Sequence, residues 1–93
     1  MHTQPLLIIN RLGLHARAAA KLIQTAGQFE SDIQLIKGEG EAAKTVDAKS
    51  MLSVLMLAAG QGTQLTLRAT GSDAEAAIAA ITALVENRFD EEE

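Results

Sequence analysis

The segment Gly13-Leu14-His15-Ala16-Arg17 places a histidine where an apolar stretch turns into an alanine-rich helix, with an arginine two residues further on. An imidazole in that position is suited to the chemistry of anions. The first backbone N–H groups of a helix lack partners and lie at the positive end of its dipole, so His15 would sit beside ready-made donors for a phosphoryl group. The same field, together with the like charge of Arg17, disfavours an imidazolium and makes the ring a neutral nucleophile. Once phosphorylated, the ring would be held by the N–H groups of Ala16 and Arg17 and by the planar guanidinium of Arg17. Gly13 permits the sharp turn before it. Taken alone, a histidine at a helix start is more often a cap or a packing residue, so the rest of the chain has to decide.

Composition removes several alternatives. A chain of 93 residues is one domain. Phe29 and Phe89 are its only aromatic residues, so the core is aliphatic and base-stacking on aromatic rings is nearly excluded. With no cysteine there is neither a disulfide framework nor a thiolate metal site, and a reducing cytoplasm suits the chain. His2 and His15 lie far apart, with His2 in a start expected to fray, so a histidine metal site is not expected either. Residues 1–85 carry seven basic and seven acidic side chains, and the net charge of −4 comes from Glu86, Asp90, Glu91, Glu92 and Glu93 set against Arg88. No basic stripe invites nucleic acid. Neither an apolar run of membrane length nor a basic-then-apolar leader is present, so membrane insertion and export are not expected.

The elements that must position His15 follow from periodicity. Leu6 to Ile9 reads as a strand buried on both faces or central in its sheet. The first helix runs from Ala16 to Ala26, with Ala16, Ala19, Ile23 and Ala26 as its stripe and Gly27 as its C-cap. Ser31 to Ile36 alternates and returns through Lys37-Gly38-Glu39-Gly40 to Ala43–Asp47 as a hairpin. Met51 to Ala59 is a second helix, too apolar for a single buried stripe, so part of it should be exposed. Leu65, Leu67 and Ala69 form a strand with one wet face, and Ser72-Asp73-Ala74-Glu75 is a capping box for a last helix. The order β-α-β-β-α-β-α, with one-faced helices and a sheet needing cover on one side, gives an α+β fold of two layers. Residues 1–89 form the domain, and the acidic tail 90–93 reads as disordered.

Asn10 to Arg17, followed by Ala19-Ala20-Lys21-Leu22, resembles the active-site segment of HPr, the histidine phosphocarrier family of the bacterial phosphotransferase system. The resemblance extends through Ala48-Lys49-Ser50-Met51-Leu52, Gly60-Gln61-Gly62-Thr63, and Gly71 with Ala74 to Ala77. It implies an open-faced sandwich in which three helices cover one face of a four-stranded antiparallel sheet. It also implies that His15 is phosphorylated at Nδ1 by enzyme I, which draws on phosphoenolpyruvate, and donates to an EIIA-type protein while Arg17 steadies the phosphoryl group. The carrier would be a monomeric cytoplasmic component of a phosphotransferase chain rather than a stand-alone enzyme, with no metal or organic cofactor. Ala18 departs from the family, which usually has proline there. That alanine and the ending Phe89-Asp90-Glu91-Glu92-Glu93 are more similar to the nitrogen-related branch, NPr.

Ser50 reads first as the N-cap of the second helix. In some members of the family that position is phosphorylated by an HPr kinase/phosphorylase, which makes a docking module regulated through Ser50 the alternative function. The resemblance also assigns Ala20, Lys49, Met51, Leu52 and Leu55 to partner docking. The bland readings are that Leu55 fills the core and that Lys49 and Lys21 are solvated rim charges.

Overall fold

Strand β4 (Gln64–Thr70) turns Leu65, Leu67 and Ala69 inward, an alternation that gives the sheet one covered face and one wet one. In the computed structural model, which describes all 93 residues, β4 pairs with β1 (His2–Leu7) on one side and β2 (Asp32–Lys37) on the other, and β3 (Lys44–Asp47) extends the far edge. The strand order is β1-β4-β2-β3 and every pairing is antiparallel. Leu6 faces Leu65, Leu35 faces Leu67 and Ile33 faces Ala69. These apolar cross-strand pairs lie beneath helices α1 (Ala16–Ala26), α2 (Met51–Met56) and α3 (Ala74–Glu86). The other face is polar, with the Arg68 guanidinium hydrogen-bonded to the Gln34 side chain. No helix is long and apolar enough to cross a membrane.

Three local expectations need correction. The first strand begins at His2, paired with Ala69, and is an edge strand with Leu7 48% exposed, not one buried on both faces. Pro5 within it has no N–H to donate, which an edge tolerates and a central strand does not. The second helix stops at Met56, because Ala58 adopts a left-handed φ of 51° and Lys44 and Lys37 donate to the carbonyls of Met56 and Leu57. The Ser72 capping box does not form. Asp73 is the N-cap of α3, and its carboxylate instead accepts from the N–H groups of Glu30 and Ser31 and from the Ser31 hydroxyl. These bonds, the Ser31 hydroxyl foremost, hold the Asp73 carboxyl below its ordinary range.

At the chain end, residues 90–93 follow a left-handed turn through Arg88, Phe89 and Asp90, with φ of 55°, 54° and 64°. Three such non-glycine residues cost roughly 1 kcal/mol each or more. Opposing that cost, Phe89 is completely buried, which stabilises by about 2–3 kcal/mol, and Lys21 Nζ donates to its carbonyl at 2.7 Å. The turn carries the acidic residues back across the start of α1.

Candidate functional site

The loop between β1 and α1 is pinned before it reaches His15. The Ile8 N–H donates to the Thr63 carbonyl, the Gly62 N–H to the Ile8 carbonyl and the Leu14 N–H to the Ala59 carbonyl, at 3.0, 2.7 and 2.8 Å. Gly13 (φ 66°) is packed so closely that an added Cβ would stand 2.6 Å from the Ala59 oxygen. Both demands, a left-handed turn and a backbone against a backbone, require glycine. Asn10 is fully buried and its Nδ2 donates to the Gly13 carbonyl at 2.8 Å, closing the loop from within.

His15 is the N-cap of α1, and its Nδ1 accepts the Arg17 N–H at 3.3 Å. The N–H groups of Ala16 and Ala18 have no partner in the protein. The Ala18 donor exists because proline is absent there; the residue is fully buried, so the departure leaves the helix start in place and adds an enclosed amide rather than one open to solvent. Arg17 is exposed and has no carboxylate in ion-pair distance. The expected partnership of His15, Ala16 and Arg17 is thus assembled in space.

The second ring nitrogen has a partner that the local sequence does not announce. Nε2 lies 2.5 Å from Glu91 Oε2, and the other Glu91 oxygen accepts from Asn10 Nδ2 at 2.9 Å. The Asn10 and His15 hydrogen bonds hold the Glu91 carboxyl below its ordinary range, with a smaller attraction from Arg17. Because Nδ1 accepts from Arg17 N–H and Nε2 faces a carboxylate, the hydrogen of a neutral ring belongs on Nε2. Glu93 pairs with Arg11 at 2.7 Å and Asp90 lies 3.7 Å from Lys21. Between tail and helix is a cleft of about 430 Å³, with Arg11, Arg17 and Lys21 on one wall and Asp90 to Glu93 on the other.

The remaining assigned residues divide. Ser50 is the N-cap of α2: its Oγ accepts the Ser53 N–H at 3.4 Å and lies 3.0 Å from the Ser53 hydroxyl. Leu52, 70% exposed, and Leu55, 37% exposed, point outward, as does Ala20, whereas Met51 is half-buried against the core. Leu12 and Met56, not singled out from sequence, are also exposed apolar residues. Neither lysine is a free rim charge: Lys49 Nζ donates to the Phe29 carbonyl at 2.7 Å, as Lys21 does to Phe89. Asn10 and Glu91 are the site residues that sequence reasoning missed.

Solved structures share this fold. An HPr from Thermoanaerobacter tengcongensis matches with a TM-score of 0.90 at 41% identity, covering all of both chains. An HPr from Bacillus anthracis matches at 0.82 and 38%, covering 90% of this chain and 95% of that one. A four-stranded open-faced sandwich with a histidine capping its first helix defines the class of small phosphocarrier domains. The model for the PTS HPr component phosphorylation site matches residues 2–87, and the chain belongs to the HPr family of the phosphotransferase system. Among curated relatives, it is 50% identical over 86 residues to phosphocarrier protein HPr of Cupriavidus necator, covering 92% of each. It is 49% identical over 84 residues to phosphocarrier protein NPr of Shewanella violacea, covering 90% of this chain and 88% of that one. The chain is accordingly an HPr/NPr-type phosphocarrier. Membership implies dealings with enzyme I and EIIA-type proteins in general.

Proposed function

We propose that His15 is the phosphoacceptor, taking its phosphoryl group at Nδ1 from phospho-enzyme I and passing it to an EIIA-type protein. The observation that carries this reading is the placement of Nδ1 beside the start of α1, 3.3 Å from the Arg17 amide. As the new N–P bond forms, the donor's N–P bond breaks and its electron pair returns to the donor nitrogen. The Arg17 N–H then turns from the ring nitrogen to a phosphoryl oxygen, joined by the free Ala16 N–H and the unpaired guanidinium of Arg17. Transfer between imidazoles needs alignment and charge neutralisation, both of which a capped and pinned helix start supplies.

Incubation with enzyme I and labelled phosphoenolpyruvate is expected to give an acid-labile, alkali-stable phosphoryl group on the protein. Retention of that label by His15→Ala would overturn the assignment. The tail and Ala18 favour the nitrogen-related branch, while relatives named HPr and NPr stand at nearly equal identity. Transfer from the labelled protein to EIIA proteins of the sugar and nitrogen branches, run side by side, assigns the acceptor; faster transfer to the sugar protein would overturn the nitrogen reading.

A further inference from the structure

We infer that Glu91 is a positioning residue for the phosphoacceptor, its carboxylate holding the Nε2–H of His15 so that Nδ1 is the nitrogen left open to phosphorus. The inference rests on the assignment of His15 as phosphoacceptor, and four observations support it. Glu91 Oε2 is 2.5 Å from Nε2, and the carboxylate is held on its other oxygen by Asn10, a completely buried residue that is itself bonded to Gly13. The pair is sheltered, with the Glu91 side chain 13% exposed and that of His15 25%. The segment bearing Glu91 is anchored by the buried Phe89 ring, the Lys21 bond to the Phe89 carbonyl and the Arg11–Glu93 pair. Finally, Nδ1 and Nε2 have different partners, so the site distinguishes the two ring nitrogens.

The chemistry follows from the proton count. When the neutral Nε2–H ring attacks through Nδ1, the N–P bond forms, the donor nitrogen leaves with its electron pair, and the hydrogen stays on Nε2, so positive charge develops on the His15 ring. Glu91 lies against that charge and orients the ring, the part that a buried carboxylate plays for the histidine of a serine hydrolase. On donation the ring returns to the neutral Nε2–H form with no proton exchanged with solvent. Without Glu91 only the Arg17 amide still favours the Nε2–H form, so a fraction of rings carries its hydrogen on Nδ1, and that fraction cannot accept phosphate.

The test reads tautomer and transfer separately. In the unphosphorylated full-length protein, imidazole ¹⁵N shifts are expected to show His15 as the Nε2–H tautomer, and Glu91→Ala is expected to give a mixture. The rate of phosphoryl acceptance from enzyme I is expected to fall about tenfold in Glu91→Ala, the scale of a lost charge-assisted hydrogen bond. Glu91→Gln, whose amide oxygen still accepts from Nε2–H, keeps the tautomer but loses the charge and should fall between the two. Glu86→Gln, which removes an equal charge from an exposed position on α3, should match the wild type. An unchanged tautomer with acceptance within twofold in Glu91→Ala overturns the proposal, as does an equal loss in Glu86→Gln. A wild-type protein that takes no phosphate overturns the phosphoacceptor reading itself, a distinct result because the tautomer is read before any phosphate is added.

Discussion

The starts of α1 and α2 are capped by His15 and Ser50, and the two caps are built in opposite ways. Ser50 closes on its own helix: its hydroxyl is engaged by the Ser53 amide and hydroxyl. His15 accepts one bond from its helix, at 3.3 Å against 3.4 Å for that of Ser50, leaves the exposed Ala16 amide free and turns its second nitrogen to a residue 76 positions away. Each start leaves two first-turn amides without a partner, those of Ala16 and Ala18 in α1 and of Met51 and Leu52 in α2, so the caps differ in where the capping side chain's remaining polar atom goes: to its own helix at Ser50, across the fold at His15. An identical local role, side-chain acceptor at an N-cap, therefore yields structure in one place and chemistry in the other, depending on what surrounds it.

The comparison can be broken most strongly at Gly13. Gly13→Ala must push its methyl against the Ala59 oxygen at a left-handed φ, and should cost about 3 kcal/mol or more in urea unfolding. A loss below 1 kcal/mol would mean that the loop beneath His15 is not rigid. Next in size, Arg17→Ala should slow phosphoryl acceptance roughly thirtyfold with little change in stability, because the side chain has no partner inside the protein. Lysine at 17 should restore only part of the rate, lacking the planar fork.

At the closed cap the signs reverse: Ser50→Ala should cost about 1 kcal/mol in unfolding and leave acceptance on His15 unchanged. A comparable loss in phosphorylation rate would erase the distinction drawn between the two caps. The smallest effect is expected at the third helix start, α3, where Asp73 is held below its ordinary carboxyl range by Ser31 and Glu30. Its stabilising contribution is present at pH values above that ordinary range and is lost as acid protonates it. Asp73→Asn should therefore flatten the acid limb of stability against pH without altering the neutral plateau's shape; an unchanged acid limb would count against the Asp73 contacts.

What was legible in the sequence is what is local. Gly13, His15, Ala16 and Arg17 lie within five residues, and the chemistry of a helix start depends on such short spacing. The alternation of β4 and the stripe of α3 disclosed themselves for the same reason, and Ser50 capped as its residue type suggests. Asn10 and Glu91 stayed hidden because they meet His15 through tertiary folding, and Glu91 stands in a run of four acidic residues with no periodic pattern to single it out. Asp73 defeated the capping-box reading because long-range donors from Glu30 and Ser31 occupy its carboxylate. Lys49 reads as a solvated charge only until the fold brings the Phe29 carbonyl to it.

The sheet order has a consequence for when this protein becomes competent. The hairpin of β2 and β3 closes over a few residues, but β1 finds β4 only across about sixty, and the loop that presents His15 is tied to the segment leading into β4. Pairings so distant in sequence are slow to form. A nascent or truncated chain lacking β4 would carry the histidine and the arginine on a segment with nothing to hold them, so under the proposed function phosphorylation at His15 would double as a certificate that the whole chain has folded.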